Sequence, residues 1–223
     1  MVLQDRAKAT RQAIIAGAAA VFEEHGYGKT TLAQVAEAAQ VTKGALYFHF
    51  QSKEDLAGAV IEEQHRLVVQ DAERILAGNR PALSTIILMC RAFGLRLVDE
   101  PVVRAGIRLT FEATAFGRTV REPYEDWVAT MAELAARSRR EGQIRASVDP
   151  AALARYIVAS FTGVQMVSDV LTGRADVMAR IEEMWAILLP GIIAEDWPGD
   201  PSELAGLVSG TGPDPVPKAA APA

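Results

Sequence analysis

The sequence predicts an all-α fold, and three observations support this prediction. Apolar residues recur at helical spacing, for example at Ile14, Ala18 and Phe22. Alanine is abundant and proline is absent from the first 80 residues, so no proline there interrupts a helix. The later prolines fall where new helices can begin. The fold of the 223 residues is therefore expected to consist of α-helices.

Start and stop signals divide the first 80 residues into four helices. Glycine adopts the left-handed conformation that ends helices, so Gly26 ends the first one. Thr31 with Gln34 forms a capping box, and Thr42 is a second N-cap. Ser52 gives a third capping signal before a long helix. The predicted limits are 5–24, 32–39, 42–48 and 53–76.

Prolines mark the starts of the later helices. The backbone N–H groups in the first turn of a helix have no partner within that helix, so proline, which lacks an N–H, is tolerated there. They are Pro81, Pro101, Pro123 and Pro150. Asp149 before Pro150 is the clearest signal, an N-cap followed by a first-turn proline. It predicts a helix over 150–171, and a further helix is expected over 175–193, kinked or ended by Pro190.

The last segment, 198–223, is expected to be a disordered tail. It holds six of the eleven prolines, four glycines and no aromatic residue, and so cannot bury enough apolar surface to offset its ordering entropy. The predicted limits of this tail are therefore 198–223.

Composition excludes several classes of protein. No apolar run reaches the roughly 20 residues that a bilayer requires, and no secretory signal is visible, so the protein is expected in the cytoplasm. Cys90 is the only cysteine and cannot form an internal disulfide. Glu62 and His65 form one Glu-x-x-His pair, but the second pair of a di-iron bundle is missing. We expect no catalytic residue, no metal site and no cofactor.

Positive charge is concentrated near the N-terminus. The whole chain carries a formal charge of −5, whereas residues 1–53 carry six basic and four acidic residues. Between positions 38 and 53 the only formally charged residues are Lys43 and Lys53. This acid-free segment can approach phosphates although the protein is acidic.

The two short helices over 32–39 and 42–48 have the lengths of a helix-turn-helix, which places the start of its second helix against base edges. Lys43 can donate to guanine or to phosphate, and Gly44 allows a close backbone approach. The hydroxyls of Thr31 and Thr42 lie at helix N-termini, where phosphates bind. Further candidate phosphate donors are Tyr47, His49 and Lys53.

Purely structural roles are the alternative explanation for the same residues. Short helix pairs are common, the run Tyr47-Phe48-His49-Phe50 is compatible with core packing, and Thr42 can act only as a cap. From these residues alone, both interpretations stay open.

Residues 30–56 read TTLAQVAEAAQVTKGALYFHFQSKEDL and resemble the DNA-binding domain of the TetR family of repressors. The core KGALYFHF, residues 43–50, is especially similar to the γ-butyrolactone autoregulator receptors of that family. The resemblance continues weakly through 101–106 and 183–185. One departure is Gln40, which stands where these proteins usually place glycine in the turn.

The resemblance implies a TetR-like homodimer whose N-terminal three-helix bundle, 1–52, contains the helix-turn-helix and binds double-stranded operator DNA. Its larger helical C-terminal domain, 53–197, is expected to hold a ligand pocket and the dimer interface. The implied ligand is a γ-butyrolactone or butenolide that releases the repressor from DNA, and antibiotic biosynthesis genes are the expected targets. The alternative effector is another hydrophobic molecule, such as an antibiotic, a drug or an acyl compound.

A lactone pocket requires one or two hydrogen-bond donors within apolar walls. The candidate polar groups are Gln64, Trp127 and Thr162. The candidate walls are Leu88, Val98, Leu109, Phe161 and Met166. For each residue, ordinary core packing is the alternative.

The two late helices carry more apolar residues than one core-facing stripe needs. These residues are Ile157, Val158, Phe161, Val164, Met184, Trp185 and Leu188. Pairing with a second copy would bury the excess, and a central position in the monomer is the alternative.

Overall fold

The computed structural model describes residues 2–117 and 119–212. Within them the chain is all-α, as predicted, and the only β-type pairing is an isolated antiparallel bridge between Ile144 and Ile193. A short 3-10 helix covers Ala113–Phe116. The α-helices of this part of the chain are α1 Val2–Lys29, α2 Leu32–Ala38, α3 Lys43–His49, α4 Lys53–Leu76, α5 Ala82–Asp99, α6 Pro101–Glu112, α7 Glu122–Arg140, α8 Pro150–Thr172, α9 Val177–Ile192 and α10 Pro201–Ala205.

The helices form two compact units. The N-terminal unit comprises Met1–Val69 and Asp99–Val120, and the C-terminal unit comprises Gln70–Val98 and Arg121–Ala223. This grouping differs from the predicted division at residue 52, because α6 and most of α4 belong with the first three helices. Helix α4 contributes residues to both units.

Local capping explains the start of each short helix. The Thr31 hydroxyl accepts from the Gln34 backbone N–H, and the Gln34 side chain accepts from the Thr31 N–H, so the predicted capping box is present. The Thr42 hydroxyl accepts from the Ala45 N–H at 3.1 Å and begins α3. Helix α4 has the predicted limits.

The first helix is longer than predicted but breaks where the sequence indicated. Gly26 is non-helical, with φ 72° and ψ 173°, and the chain resumes a helical conformation to Lys29. In the turn between α2 and α3, Gln40 adopts φ 54°. This left-handed backbone costs a non-glycine residue roughly 1 kcal/mol.

The core of the N-terminal unit joins α1, α2, α3, α4 and α6. Its largest fully buried side chains include Phe22 and Phe50. Helix α6 also contacts the end of α1 through polar groups. Arg104 pairs with Glu23, the Arg108 guanidinium donates to the Glu23 carbonyl, and Glu112 accepts from the Tyr27 backbone N–H.

The C-terminal unit is built on α7, α8 and α9, each beginning near a predicted position. The Asp149 side chain accepts from the Ala152 N–H at 2.8 Å and caps α8. Pro190 stands inside α9, which ends two residues later. Among the described residues, no helix is both long enough and apolar enough to cross a membrane.

The predicted disordered tail is wrong for its first part. Asp200 caps the short helix α10, and the side chains from Leu204 to Val208 are buried. The Arg91 guanidinium donates to the Val208 carbonyl at 3.2 Å. Composition did not predict this burial, because a few well-spaced apolar residues are enough for a segment to pack against an apolar face that another helix already presents. Residues 213–223 lie outside the described part of the chain.

Candidate functional site

The exposed face of α3 is the first candidate site. Leu46 is fully buried and fixes the helix to the N-terminal core, which turns Lys43, Gly44 and Tyr47 outward. Tyr47 is 55% exposed, so core packing does not explain it. Phe50, in contrast, is buried and does belong to the core.

A shallow groove of about 260 Å³ runs between α2 and α3. It is lined by Leu32, Ala33, Lys43, Leu46 and Tyr47. A positive charge and a phenol therefore flank an apolar floor. Such a surface suits a phosphodiester backbone, since both polar groups donate hydrogen bonds.

The two capping threonines are not equivalent. The Thr31 hydroxyl donates to the Gln34 side-chain oxygen at 2.8 Å, so its hydrogen is already used within the helix end. The Thr42 hydroxyl accepts from Ala45, and its own hydrogen stays available to an outside acceptor. Thr42 is therefore both a cap and a candidate phosphate donor.

Lys53 has an internal role that the sequence did not indicate. Its ammonium donates to the carbonyls of Tyr27 and Thr30, at 2.9 and 3.1 Å, and lies 4.3 Å from the centre of the Tyr27 ring. Two of its three N–H groups are thus used to tie the start of α4 to the end of α1 and to the loop that follows it. One N–H group is left for a phosphate.

Tyr27 connects the same region on its other side. Its hydroxyl donates to the Glu54 carboxylate at 2.6 Å. This bond lowers the pKa of Glu54, while burial and the same carboxylate raise the pKa of Tyr27. The end of α1 and the start of α4 are held together next to α3.

A second candidate site is an aromatic cluster in the C-terminal unit. Phe93 contacts Trp127 edge-on at 5.6 Å between ring centres, and its ring lies 5.1 Å from that of Phe161. Trp127 is half-buried, and its indole N–H is shielded from solvent without a hydrogen-bond partner among the residues that the structure describes. A shielded, unpaired donor is costly, so it marks a place where an acceptor can bind.

Trp185 provides a useful contrast. Its indole N–H also lacks a partner of normal geometry, but the side chain is fully buried and faces the Cys90 sulfur, a weak acceptor. Burial raises the pKa of that thiol to about 12, as expected for an inert core cysteine.

The predicted ligand residues fall into two groups. Leu88 and Val98 on α5, Trp127 on α7, and Phe161, Thr162 and Met166 on α8 belong to the C-terminal unit. Gln64 and Leu109 belong to the N-terminal unit, where both are buried. Gln64 packs so tightly on Gly106 that a Cβ there would lie 2.4 Å from the Gln64 Cβ.

The apolar residues of α8 and α9 divide differently from the prediction. Ile157, Phe161 and Trp185 are buried in the monomer, so they do not form the excess surface. The exposed apolar side chains are others: Tyr156, Met166, Val167, Val170, Leu171 and Ile187. Pairs such as Val167 and Val170 lie on one face, since they are separated by three residues. Val170 is 84% and Ile187 78% exposed.

Sequence reasoning missed two aromatic residues at these sites. Phe93 joins Trp127 to Phe161, and only the fold brings its helix to them. Phe48 on α3 is 81% exposed, although core packing was the only role that the sequence suggested for it. The sequence signal that could have found Phe48 is its position four residues after Gly44, which places both residues on the same face of the helix.

Comparison with known proteins agrees with this architecture. Residues 14–60 match the bacterial regulatory proteins of the TetR family, and residues 81–194 match the tetracyclin repressor-like C-terminal domain. The chain is 37% identical over 192 residues to the A-factor receptor protein of Streptomyces griseus, covering 86% of this chain and 67% of that protein.

Solved structures show the same relationship. A gamma-butyrolactone receptor described as ArpA-like is 32% identical, with a TM-score of 0.78 over 91% of this chain and 98% of that chain. CprB from Streptomyces coelicolor, solved with its biological operator sequence, is 32% identical, with a TM-score of 0.76 over the same shares of each chain. The chain described here belongs to the TetR family of bacterial regulatory proteins.

Proposed function

We propose that this protein is a transcriptional repressor that binds an inverted-repeat operator as a dimer and is released by a γ-butyrolactone or butenolide. It acts in the cytoplasm without catalysis and controls genes of secondary metabolism, such as those for an antibiotic. The observation that carries the proposal is the outward face of α3, with Lys43, Gly44 and Tyr47 exposed on a helix anchored by Leu46. Similarity to the A-factor receptor protein, to a gamma-butyrolactone receptor and to CprB in complex with its operator supports it.

DNA binding follows from the chemistry of that face. Lys43 reaches guanine O6 or N7, the commonest acceptor pair in specific major-groove contacts. Thr42, Tyr47 and Lys53 each keep a hydrogen for phosphate oxygens, and these contacts fix the orientation of the helix. His49 is half-buried and packs edge-on against Phe48 at 5.1 Å, so it supports the surface more than it contacts DNA.

The effector site is proposed at the aromatic cluster of the C-terminal unit. The Trp127 indole N–H donates to the lactone carbonyl, and the half-buried Thr162 hydroxyl binds a second polar group. The rings of Phe93 and Phe161 give the alkyl part an apolar surface. The ligand therefore gains orientation from two donors and affinity from burial.

An uncharged effector fits better than a cationic drug. One acid, Glu112, lies three residues after the candidate wall Leu109, and its carboxylate already accepts from the Arg108 guanidinium and from the Tyr27 N–H. A cation would therefore compete with an existing ion pair.

The exposed apolar face of α8 and α9 supports the dimer. Val170 and Ile187 are among its most exposed side chains, on helices that pack against each other in one unit. On α8 the exposed side chains of Met166, Val167, Val170 and Leu171 are neighbours at helical spacing, and an apolar patch of this kind usually marks an interface. Pairing with a second copy buries it and sets the spacing of the two α3 helices.

Release requires that the effector prefer one conformation. Recognition helices enter successive major grooves only when they lie about 34 to 36 Å apart. A ligand that favours another spacing lowers operator affinity by its difference in binding energy, typically about 1 to 3 kcal/mol. We infer that α4 carries this effect, because its residues contribute to both units.

A mobility shift tests both halves of the proposal. The purified protein is mixed with DNA from upstream of its own gene at fixed salt, with and without a panel of γ-butyrolactones and butenolides. We expect binding to an inverted repeat and its release by at least one lactone. Lys43→Ala should weaken binding about 5-fold to 100-fold, whereas Arg121→Ala, an exposed arginine at the start of α7, should not.

The outcomes separate the two halves. Binding that no lactone disturbs keeps the repressor and contradicts the effector assignment. Absence of binding to any inverted repeat contradicts the operator assignment and the role of Lys43.

A further inference from the structure

Phe48 is an unusual residue on the surface of α3. Its side chain is 81% exposed, the highest value among the large apolar residues described in the N-terminal unit. The neighbouring His49 ring packs edge-on against it, with ring planes at 87°. The ring is therefore held in place on the surface instead of being buried. Exposing an aromatic ring is unfavourable in water, so this position points to a contact outside the chain.

Gly44 lies on the same face one turn earlier, and no contact with the described part of the chain requires a glycine there. Its backbone is ordinary α-helix. An added Cβ would meet only the Thr42 hydroxyl oxygen, at 3.9 Å. Glycine also weakens a helix relative to alanine. The absence of a side chain therefore leaves an open surface beside the Phe48 ring.

The open surface at Gly44 and the Phe48 ring are apolar, whereas the neighbouring exposed side chains of α3 are polar. Lys43 and Tyr47, also one turn apart, line the groove between α2 and α3, and Phe48 does not. The outer face of α3 thus has a polar pair next to an apolar pair. The second pair, Gly44 with Phe48, can approach a flat or small apolar group closely.

We infer that Gly44 and Phe48 together receive the 5-methyl group of a thymine in the operator, so that Phe48 is a specificity-determining residue. The inference rests on the proposed binding of α3 in the major groove. There the thymine methyl is the only apolar group on the base edges, and each of the four base pairs is otherwise read through donors and acceptors. Lys43 lies about 7.5 Å along the helix from Phe48, so the thymine falls about two base pairs from the base that Lys43 contacts.

The test removes the methyl group without changing base pairing. A footprinted operator from upstream of the gene is synthesised with deoxyuridine in place of thymidine at one position at a time, first in one half-site and then in both. Affinity is measured by fluorescence anisotropy at fixed salt. For the native protein, loss of one buried methyl should weaken binding about fourfold in one half-site and about 15-fold in both.

The variants show which side chain contacts the methyl. Phe48→Ala should bind the thymidine operator more weakly and should no longer distinguish it from the deoxyuridine operator at that position. Phe48→Leu should keep part of the discrimination. Phe111→Ala removes an exposed ring from α6 of the same unit and should keep all of it.

Several results would overturn the inference. One is a native protein that is insensitive to deoxyuridine at every position. Another is equal sensitivity in the native protein and Phe48→Ala, and a third is a change of oligomeric state in Phe48→Ala with unchanged affinity. Since all three require DNA binding, they differ from failure of the proposed function, in which no operator is bound at all.

Discussion

At the scale of single residues, the strained backbone of Gln40 affects stability directly. Its φ of 54° is a conformation that glycine adopts freely and glutamine does not. Gln40→Gly should therefore raise the free energy of unfolding by about 1 kcal/mol, measured by urea denaturation. Gln70→Gly, the same change at an exposed position inside α4, should lower it by about 1 kcal/mol. Equal effects at the two positions would contradict the strain.

Removal of the Trp127 indole N–H should weaken the response to the effector. Trp127→Phe keeps an aromatic ring next to Phe93 and removes the unpaired indole N–H. A net hydrogen bond contributes about 1 kcal/mol, so release from DNA should require about fivefold more lactone, with unchanged operator affinity. The measurement is a lactone titration of the mobility shift. Trp197→Phe, which lies between α9 and α10, is the matched control and should respond like the native protein.

Residue roles were predictable where they depend on near neighbours. The hydroxyls of Thr31 and Thr42 cap their helices through groups three residues away, and the sequence shows both ends of each bond. Lys53 differs, because its two carbonyl partners lie 23 and 26 residues earlier. No local pattern indicates such bonds.

At the scale of elements, the corner between α8 and α9 is held by one carboxylate. Asp176 accepts from the Ser168 and Thr172 hydroxyls, at 2.6 and 2.8 Å, and pairs with Arg180 at 2.7 Å. The bond from Ser168 is the main cause that lowers the pKa of Asp176 to about 2.

This pKa predicts how the stability of the corner depends on pH. An unfolded aspartate titrates near pH 4, so the unfolded chain takes up a proton before the folded one does. The contribution of Asp176 is therefore complete at neutral pH and is lost as the pH falls from about 5 to about 2. Asp176→Asn should lower the stability of the protein at pH 7, measured by thermal unfolding. In this variant, stability should also decrease less steeply as the pH falls from about 5 to about 2.

The control for this prediction is Asp196→Asn, an exposed carboxylate outside the corner. It should leave the pH profile close to that of the native protein. If Asp176→Asn retains the native profile, the carboxylate does not hold the corner.

The element limits followed from caps and prolines, but the packing partners did not. The start of α8 at Pro150 could be predicted because both the cap and the proline are local. The burial of Leu204 and Val208 after α9 depends on a surface supplied by other helices. Pattern and composition describe a segment by itself and cannot show such a surface.

At the scale of the whole molecule, the sequence predicted too simple a division. Helix α6 lies after α5 in the chain, yet it packs on α1 in the N-terminal unit. The ion pair of Arg104 with Glu23 spans 81 residues, and charge patterning does not show such a pair. Excess apolar surface on α8 and α9 was predictable, whereas the residues that form it were not.

The proposed dimer interface can be disrupted by introducing charge. Val170 and Ile187 expose 84% and 78% of their surfaces on adjacent helices, and an aspartate at either position would place a charge in the proposed interface. Val170→Asp with Ile187→Asp should yield a monomer of 24.0 kDa in sedimentation, where the native protein sediments as a dimer. Operator affinity should fall more than about tenfold, because one recognition helix reads only one half-site.

Leu76→Asp is the matched control, since it places the same charge at an exposed apolar residue at the end of α4. It should stay dimeric and bind the operator normally. Because the substituted residues are exposed, the double variant should keep its helical circular dichroism spectrum, and loss of dimer and operator binding then reports on assembly alone. A double variant that still sediments as a dimer would show that the two copies meet elsewhere. The spacing of the α3 helices would then be set by a different surface, and the exposed face of α8 and α9 would need another partner.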